Sequence, residues 1–179
     1  LLTVTSYPGY EELETVEARL SKDTELQKAL EALWKQTPVP YVRLERSLLR
    51  AFPSAPDLEV PAVEGRKSNR VFELRVYESN NMETLRRKIK MFESGEIAIF
   101  RRTGLTPVFF GETLFGSNMP NLTYMVAFDD LASREKNWRA FGSDPEWQKL
   151  RATPGWSDAE IVSNISNSIL SPLPYSDIR

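Results

Sequence analysis

The chain has 179 residues, with 23 Lys and Arg against 25 Asp and Glu, and it contains neither His nor Cys. That length suits one domain or two small fused halves. The two missing residue types exclude disulfides, thiolate metal sites, thiol nucleophiles, His-based triads, His-ligated haem and the usual zinc centres. A net charge of -2 argues against non-specific nucleic-acid binding, and no stretch approaches the roughly 18 unbroken apolar residues of a membrane span.

In chain order, Leu1–Tyr7 reads as a strand and Pro8-Gly9 as a turn. Glu11–Leu20 and Thr24–Gln36 read as helices. The second carries Leu26, Ala29, Leu30, Leu33 and Trp34 on one stripe, with Asp23 at the N-cap position. Tyr41–Phe52 reads as a long strand. A first unit thus occupies 1–58, and a proline-containing linker runs over 59–69. The second unit, 70–179, opens with the strand Arg70–Glu78, rich in β-formers. The long helix Met82–Thr103 follows, with Leu85, Ile89, Phe92, Ile99 and Phe100 on one side. Arg86, Arg87, Lys88 and Lys90 lie mostly off that stripe and read as a solvated face. Strands at Leu105–Phe115 and Leu122–Phe128, a helix at Leu131–Phe141, a capped helix opening at Ser143–Glu146 and a last strand at Glu160–Leu170 complete the order. From Arg70 this is β-α-β-β-α-β, the ferredoxin-like plan of an α+β fold, whose sheet order is 4-1-3-2.

The two units match without gaps at an offset of 121 residues. Asp23-Thr24-Glu25-Leu26-Gln27-Lys28 falls on Asp144-Pro145-Glu146-Trp147-Gln148-Lys149, Ser47 on Ser168, Leu49 on Leu170 and Pro53 on Pro174. Residues 1–58 and 122–179 share 9 identities in 58 pairs, all in one register. A second unit that starts near Arg70 places the start of the first about fifty residues before Leu1. The chain is therefore expected to hold one and a half repeats, the first unit keeping only its second half. Its two strands are not neighbours in the 4-1-3-2 order, and unpaired strand edges are costly. Self-association, or a separate N-terminal fragment, is expected to complete that unit.

The second unit resembles the NIPSNAP family, from about Arg70 to Ile178. The resemblance rests on Phe72-Glu73-Leu74-Arg75-Val76-Tyr77, on Phe128-Asp129-Asp130-Leu131-Ala132-Ser133-Arg134, on Asp144-Pro145-Glu146-Trp147 and on the closing Ile169–Ser176. It implies a dimeric α+β barrel, in which ferredoxin-like units set their sheets face to face with helices outside. The superfamily includes cofactor-free monooxygenases, haem degraders and binding proteins, so the fold does not choose a function. Family members often carry a His and a Trp along the strand before the D-x-L-A turn; Tyr124 and Val126 are the counterparts here. Bacterial members can carry export signals, and the absence of Cys fits either the bacterial cytoplasm or export.

Side chains alternate along a strand. In Val71–Tyr77 the apolar set Phe72, Leu74 and Val76 is expected to pack on helices. The polar set Glu73, Arg75 and Tyr77, joined by Tyr124, is then expected to face the barrel lumen. Buried charge must be paired, which gives two readings. In one, a polar pocket uses Arg75 to hold an anionic or carbonyl group, Glu73 to orient it and Tyr77 to donate a hydrogen bond. In the other, a Glu–Arg bridge cements sheets together. The last strand is polar, and Asn164 is added to the candidate lumen set, although an exposed edge strand explains its composition too. No metal or organic cofactor is expected, because no phosphate-binding glycine pattern occurs and Asp129-Asp130 and Asp144/Glu146 read as caps. The leading reading is a small-molecule-binding protein, or one acting through oligomeric contacts. The alternative is a cofactor-independent monooxygenase or isomerase using Glu73, Tyr77 or Tyr124, favoured if the Glu73 pKa is raised in a closed cavity.

Overall fold

The computed structural model describes residues 1–62 and 70–179. It forms two compact units, Leu1–Arg46 and Ser47–Arg179. The division falls well before the expected boundary at residue 58, because the chain from Leu48 joins the sheet of the second unit. Most of the expected linker, residues 63–69, lies outside the described residues.

The first unit is a helical hairpin, α1 (Tyr10–Lys22) and α2 (Thr24–Trp34). Asp23 caps α2 by accepting from the backbone N–H of Glu25 and Leu26 at 3.1 and 2.9 Å, which satisfies two of the donors a helix start leaves over. Leu1–Tyr7 is not a strand, contrary to its β-like composition. Strand propensity counts only where a neighbouring strand takes up the backbone groups.

The second unit contains β1 (Leu48–Ala51), β2 (Val71–Glu78), α3 (Met82–Met91), a π-helical turn at Phe92–Glu96, α4 (Ile97–Thr103), β3 (Thr106–Phe115), β4 (Asn121–Phe128), α5 (Leu131–Ser143), α6 (Pro145–Arg151), α7 (Asp158–Ile161) and β5 (Asn164–Leu170). Its five strands form one sheet in the order β1-β3-β4-β2-β5, every pairing antiparallel. Without β1, that order reads 4-1-3-2 from β5, the ferredoxin-like arrangement. Of the long strand expected over Tyr41–Phe52, only Leu48–Ala51 is formed, on the outer edge of β3. Gly111 permits this approach: a Cβ there would lie 2.9 Å from the Leu49 Cβ.

The repeat is visible in the elements themselves. Both ends of α1 and α5 differ by the same 121 residues. Asp144 caps α6 through Glu146 and Trp147 at 2.9 and 3.0 Å, as Asp23 caps α2. The amides of Asp23 and Asp144 bond back to Leu20 and Phe141, again one offset apart.

Two apolar clusters flank the sheet. The larger lies on the helix side. There the Phe92 ring sits 5.3 Å from Tyr124 and 5.9 Å from Phe100, while Phe110, Phe141 and Trp147 close the layer. The smaller lies on the opposite side, where Phe72, Val108, Met125 and Ala127 are buried and Leu58, Leu74, Phe109, Leu170 and Ile178 pack against them. At the end of α4, Gly104 adopts φ +88°, a conformation open to glycine. Its carbonyl accepts from Asn137 Nδ2 at 2.8 Å and ties α4 to α5.

Candidate functional site

Which face of β2 meets the helices is the reverse of the expectation. The register pairs Glu73 with Val126, Arg75 with Tyr124 and Tyr77 with Leu122, and residues paired in this way share a face. Tyr77, Leu122, Tyr124 and Val126 belong to the helix-side cluster, whereas Phe72 and Leu74 belong to the opposite one. The polar stripe is therefore buried beneath the helices and does not face a barrel lumen. Burial is tolerated because α5 and β5 supply its partners.

Glu73 has no exposed surface. Its carboxylate accepts from Arg134 Nε at 2.8 Å and Nη2 at 2.9 Å, Trp138 Nε1 at 2.8 Å, Arg75 Nη1 at 2.8 Å and Asn167 Nδ2 at 3.1 Å. Burial alone would raise its pKa. The donated bonds from Arg134, Asn167 and Trp138, with the Arg75 charge, outweigh burial and bring it down to about 2. A carboxylate held so firmly in its ionised form is a poor proton carrier at neutral pH. Tyr124 and Tyr77 share a hydroxyl–hydroxyl bond of 3.1 Å. Burial raises both phenols above their ordinary value, Tyr124 well above it. At neutral pH Glu73 is thus held ionised and both phenols are held protonated, so none of the three is a ready proton acceptor.

Arg75 is held between aromatic faces, its guanidinium carbon 4.7 Å from the Trp138 ring centroid and 5.4 Å from that of Tyr77. Besides its bond to Glu73, it keeps a buried Nε with no hydrogen-bond partner among the described residues. It borders a cleft of about 900 Å3, lined also by Arg134, Trp138, Arg139, Ser143 and Gln148. Five donors converge on Glu73, so its single negative charge is shared between two guanidinium groups.

Four of the five candidate residues, Glu73, Arg75, Tyr77 and Tyr124, are brought together. Asn164 is not among them. It donates to Glu78 Oε1 at 2.8 Å at the exposed end of β5, and Asn167, three residues on, takes the place expected of it. Arg134 and Trp138 are the partners that sequence reasoning missed. Their i,i+4 spacing sets them on one helix face, and that was the available signal.

Lys88 also departs from expectation: the basic run around it reads as a solvated face, yet only 1% of its surface is exposed. Its Nζ lies 3.3 Å from Glu96 and 3.2 Å from Asp158, among the rings of Phe92, Tyr77 and Trp147 at 5.1, 5.3 and 5.6 Å. The π-helical turn delivers Glu96 to this amine. Burial, helped by the Asp158 charge, raises Glu96 to about 7 against the pull of Lys88. Among the described residues no group of three or more His, Cys, Asp or Glu side chains could hold a metal ion.

Residues 72–177 match the sequence model of the NIPSNAP family. The chain belongs to the NIPSNAP family. Solved relatives agree on the fold. A NIPSNAP-like domain protein from Burkholderia xenovorans is 22% identical over 60% of this chain and 89% of its own, with a TM-score of 0.53. A NIPSNAP family protein of unknown function from Agrobacterium tumefaciens is 18% identical over 64% and 97%, with a TM-score of 0.56. A longer chain from Fusobacterium nucleatum, named a putative monooxygenase, is 10% identical, covers 88% of this chain with 64% of its own, and gives a TM-score of 0.53. At these identities the likeness establishes the fold. A search of curated proteins finds no match. Among the described residues, no helix of this NIPSNAP protein is long and apolar enough to cross a membrane.

Proposed function

We propose that this NIPSNAP protein binds a small anionic molecule in the cleft between Arg75 and α5. The observation that carries the reading is Arg75 itself. A guanidinium pinned between two rings, with part of its donor set unused, is preorganised to receive an anion, and such preorganisation lowers the cost of binding. A thermal-shift screen of small organic acids tests it. Acids that raise the Tm of the wild type are expected to lose that effect in Arg75→Ala, and equal shifts in both proteins would refute the site.

A second reading concerns partners. The sheet face bearing Phe72, Leu74, Phe109 and Met125 has an apolar cluster and lies opposite the helices. A sheet with one helix-covered face ordinarily buries the other against a second layer. Self-association of two such sheets into an α+β barrel follows from that rule. A mass measurement in solution tests the association.

A further inference from the structure

We infer that the ligand of the Arg75 cleft is an organic monocarboxylate, a refinement that rests on the anion-binding reading above. The first observation is the charge of the site. Arg75, Arg134 and Arg139 face Glu135 at the lining and Glu73 beneath it. Three guanidinium groups against two carboxylates leave one positive charge. One carboxylate on the ligand neutralises it. A doubly charged phosphate would exceed that charge and leave a negative excess beside Glu73 and Glu135.

The second observation is freedom. Both Arg134 Nε and Nη2 are engaged by Glu73, and Arg75 Nη1 is too. Among the described residues the Arg139 guanidinium pairs with Glu135 alone, at 3.7 Å, and the two side chains are 81% and 70% exposed. Exposed pairs of this kind are weak, so Arg139 can turn to the ligand and complete a two-arginine clamp with Arg75. Paired guanidinium donors suit the planar, two-oxygen geometry of a carboxylate.

The third is size. The cleft is open to solvent and wider than one carboxylate needs. The remainder is walled by the Trp138 indole and by Ser143 and Gln148 of α5 and α6. The Gln148 amide nitrogen is already given to the Gly142 carbonyl, and the Ser143 hydroxyl to the carbonyl of Arg139. An organic body, apolar against the indole, fits this wall better than a bare inorganic anion.

The probes are sodium benzoate, sodium hexanoate, benzamide and inorganic phosphate, titrated by thermal shift and calorimetry against the wild type and Arg139→Gln. Arg139 is exposed, so this variant is expected to fold. The expected result is that at least one of the two carboxylates stabilises the wild type, with benzamide and phosphate inert. Arg139→Gln then weakens that carboxylate about tenfold, as loss of one charge-assisted bond does. If phosphate stabilises through Arg139 and the carboxylates do not, the ligand class is wrong while the anion cleft stands. If a carboxylate stabilises the wild type and Arg139→Gln equally, the two-arginine carboxylate clamp falls while the anion cleft at Arg75 stands; if no anion stabilises the wild type, both readings fall.

Discussion

Arg134 and Glu73 are joined by a two-point bond, Nε at 2.8 Å and Nη2 at 2.9 Å, between the first turn of α5 and the centre of the sheet. This pair clamps a helix onto β2 across 61 positions of sequence. Its carboxylate is fully buried, so the pair is coupled to everything else that Glu73 receives. Glu73→Gln removes the charge while leaving Arg75 and Arg134 beside it. Breaking one member of a buried ion pair costs about 3–5 kcal/mol. Urea unfolding is expected to show a loss of that size for Glu73→Gln, with Arg75→Gln costing less because Arg134 remains on the carboxylate.

The two perturbed carboxylates pull the pH profile in opposite directions. Glu73 is lowered from 4.5 to about 2, so its contribution is present above 4.5 and is lost as pH falls toward 2. Glu96 is raised from 4.5 to about 7, so the stability it lends is complete below 4.5 and is lost as pH rises through 7. At about 1.4 kcal/mol per pKa unit, each is worth about 3 kcal/mol over its window. Chemical denaturation across pH is expected to show stability declining between pH 5 and 8. Glu96→Gln should flatten that decline and leave the acid limb unchanged.

Lys88 and Glu96 form the other buried pair, at 3.3 Å. Lys88→Met alone leaves the buried Glu96 without its cation and is expected to destabilise by about 3 kcal/mol. The double variant Lys88→Met/Glu96→Gln should recover part of that loss. A double-mutant cycle in urea measures the coupling, and an additive result would show that the pair does not act as a unit.

Gly104 offers a backbone test. A Cβ at this position would stand 2.7 Å from Asn137 Nδ2, on a residue whose φ is +88°. Gly104→Ala is expected to cost about 1–2 kcal/mol from left-handed strain and displacement of Asn137. Asn137→Ala should relieve the collision while losing the bond that ties α4 to α5, and thermal unfolding of both variants checks this.

The second sheet face gives a fifth test by substitution. Leu74→Arg places a charge in the cluster of Phe72, Val108 and Met125. If two sheets associate there, light scattering should show the particle mass falling toward that of one chain, with the helix-side cluster intact by near-ultraviolet circular dichroism.

Much of the fold was legible because periodicity and caps are local. The helix α2, the strand β2 and the Asp144-Pro145-Glu146 opening of α6 all appear in the elements observed. Alternation also grouped Glu73, Arg75 and Tyr77 on one face. It could not say which face meets helices, since that is decided by Arg134, Trp138 and Asn167, some sixty to ninety positions away. Lys88 was misread for the same reason: a lysine beside three other basic residues looks solvated until Glu96 and Asp158 arrive from other elements. Leu1–Tyr7 has strand composition, but composition does not supply a neighbour to bond with.

The shared bounds of α1 and α5 carry one more consequence. At the 121-residue offset, Arg134, Trp138 and Arg139 of the cleft fall on Leu13, Glu17 and Ala18. The helical scaffold recurs, but the guanidinium groups and the indole do not. Calorimetric stoichiometry should therefore count one ligand per polypeptide, with none at the first helical hairpin.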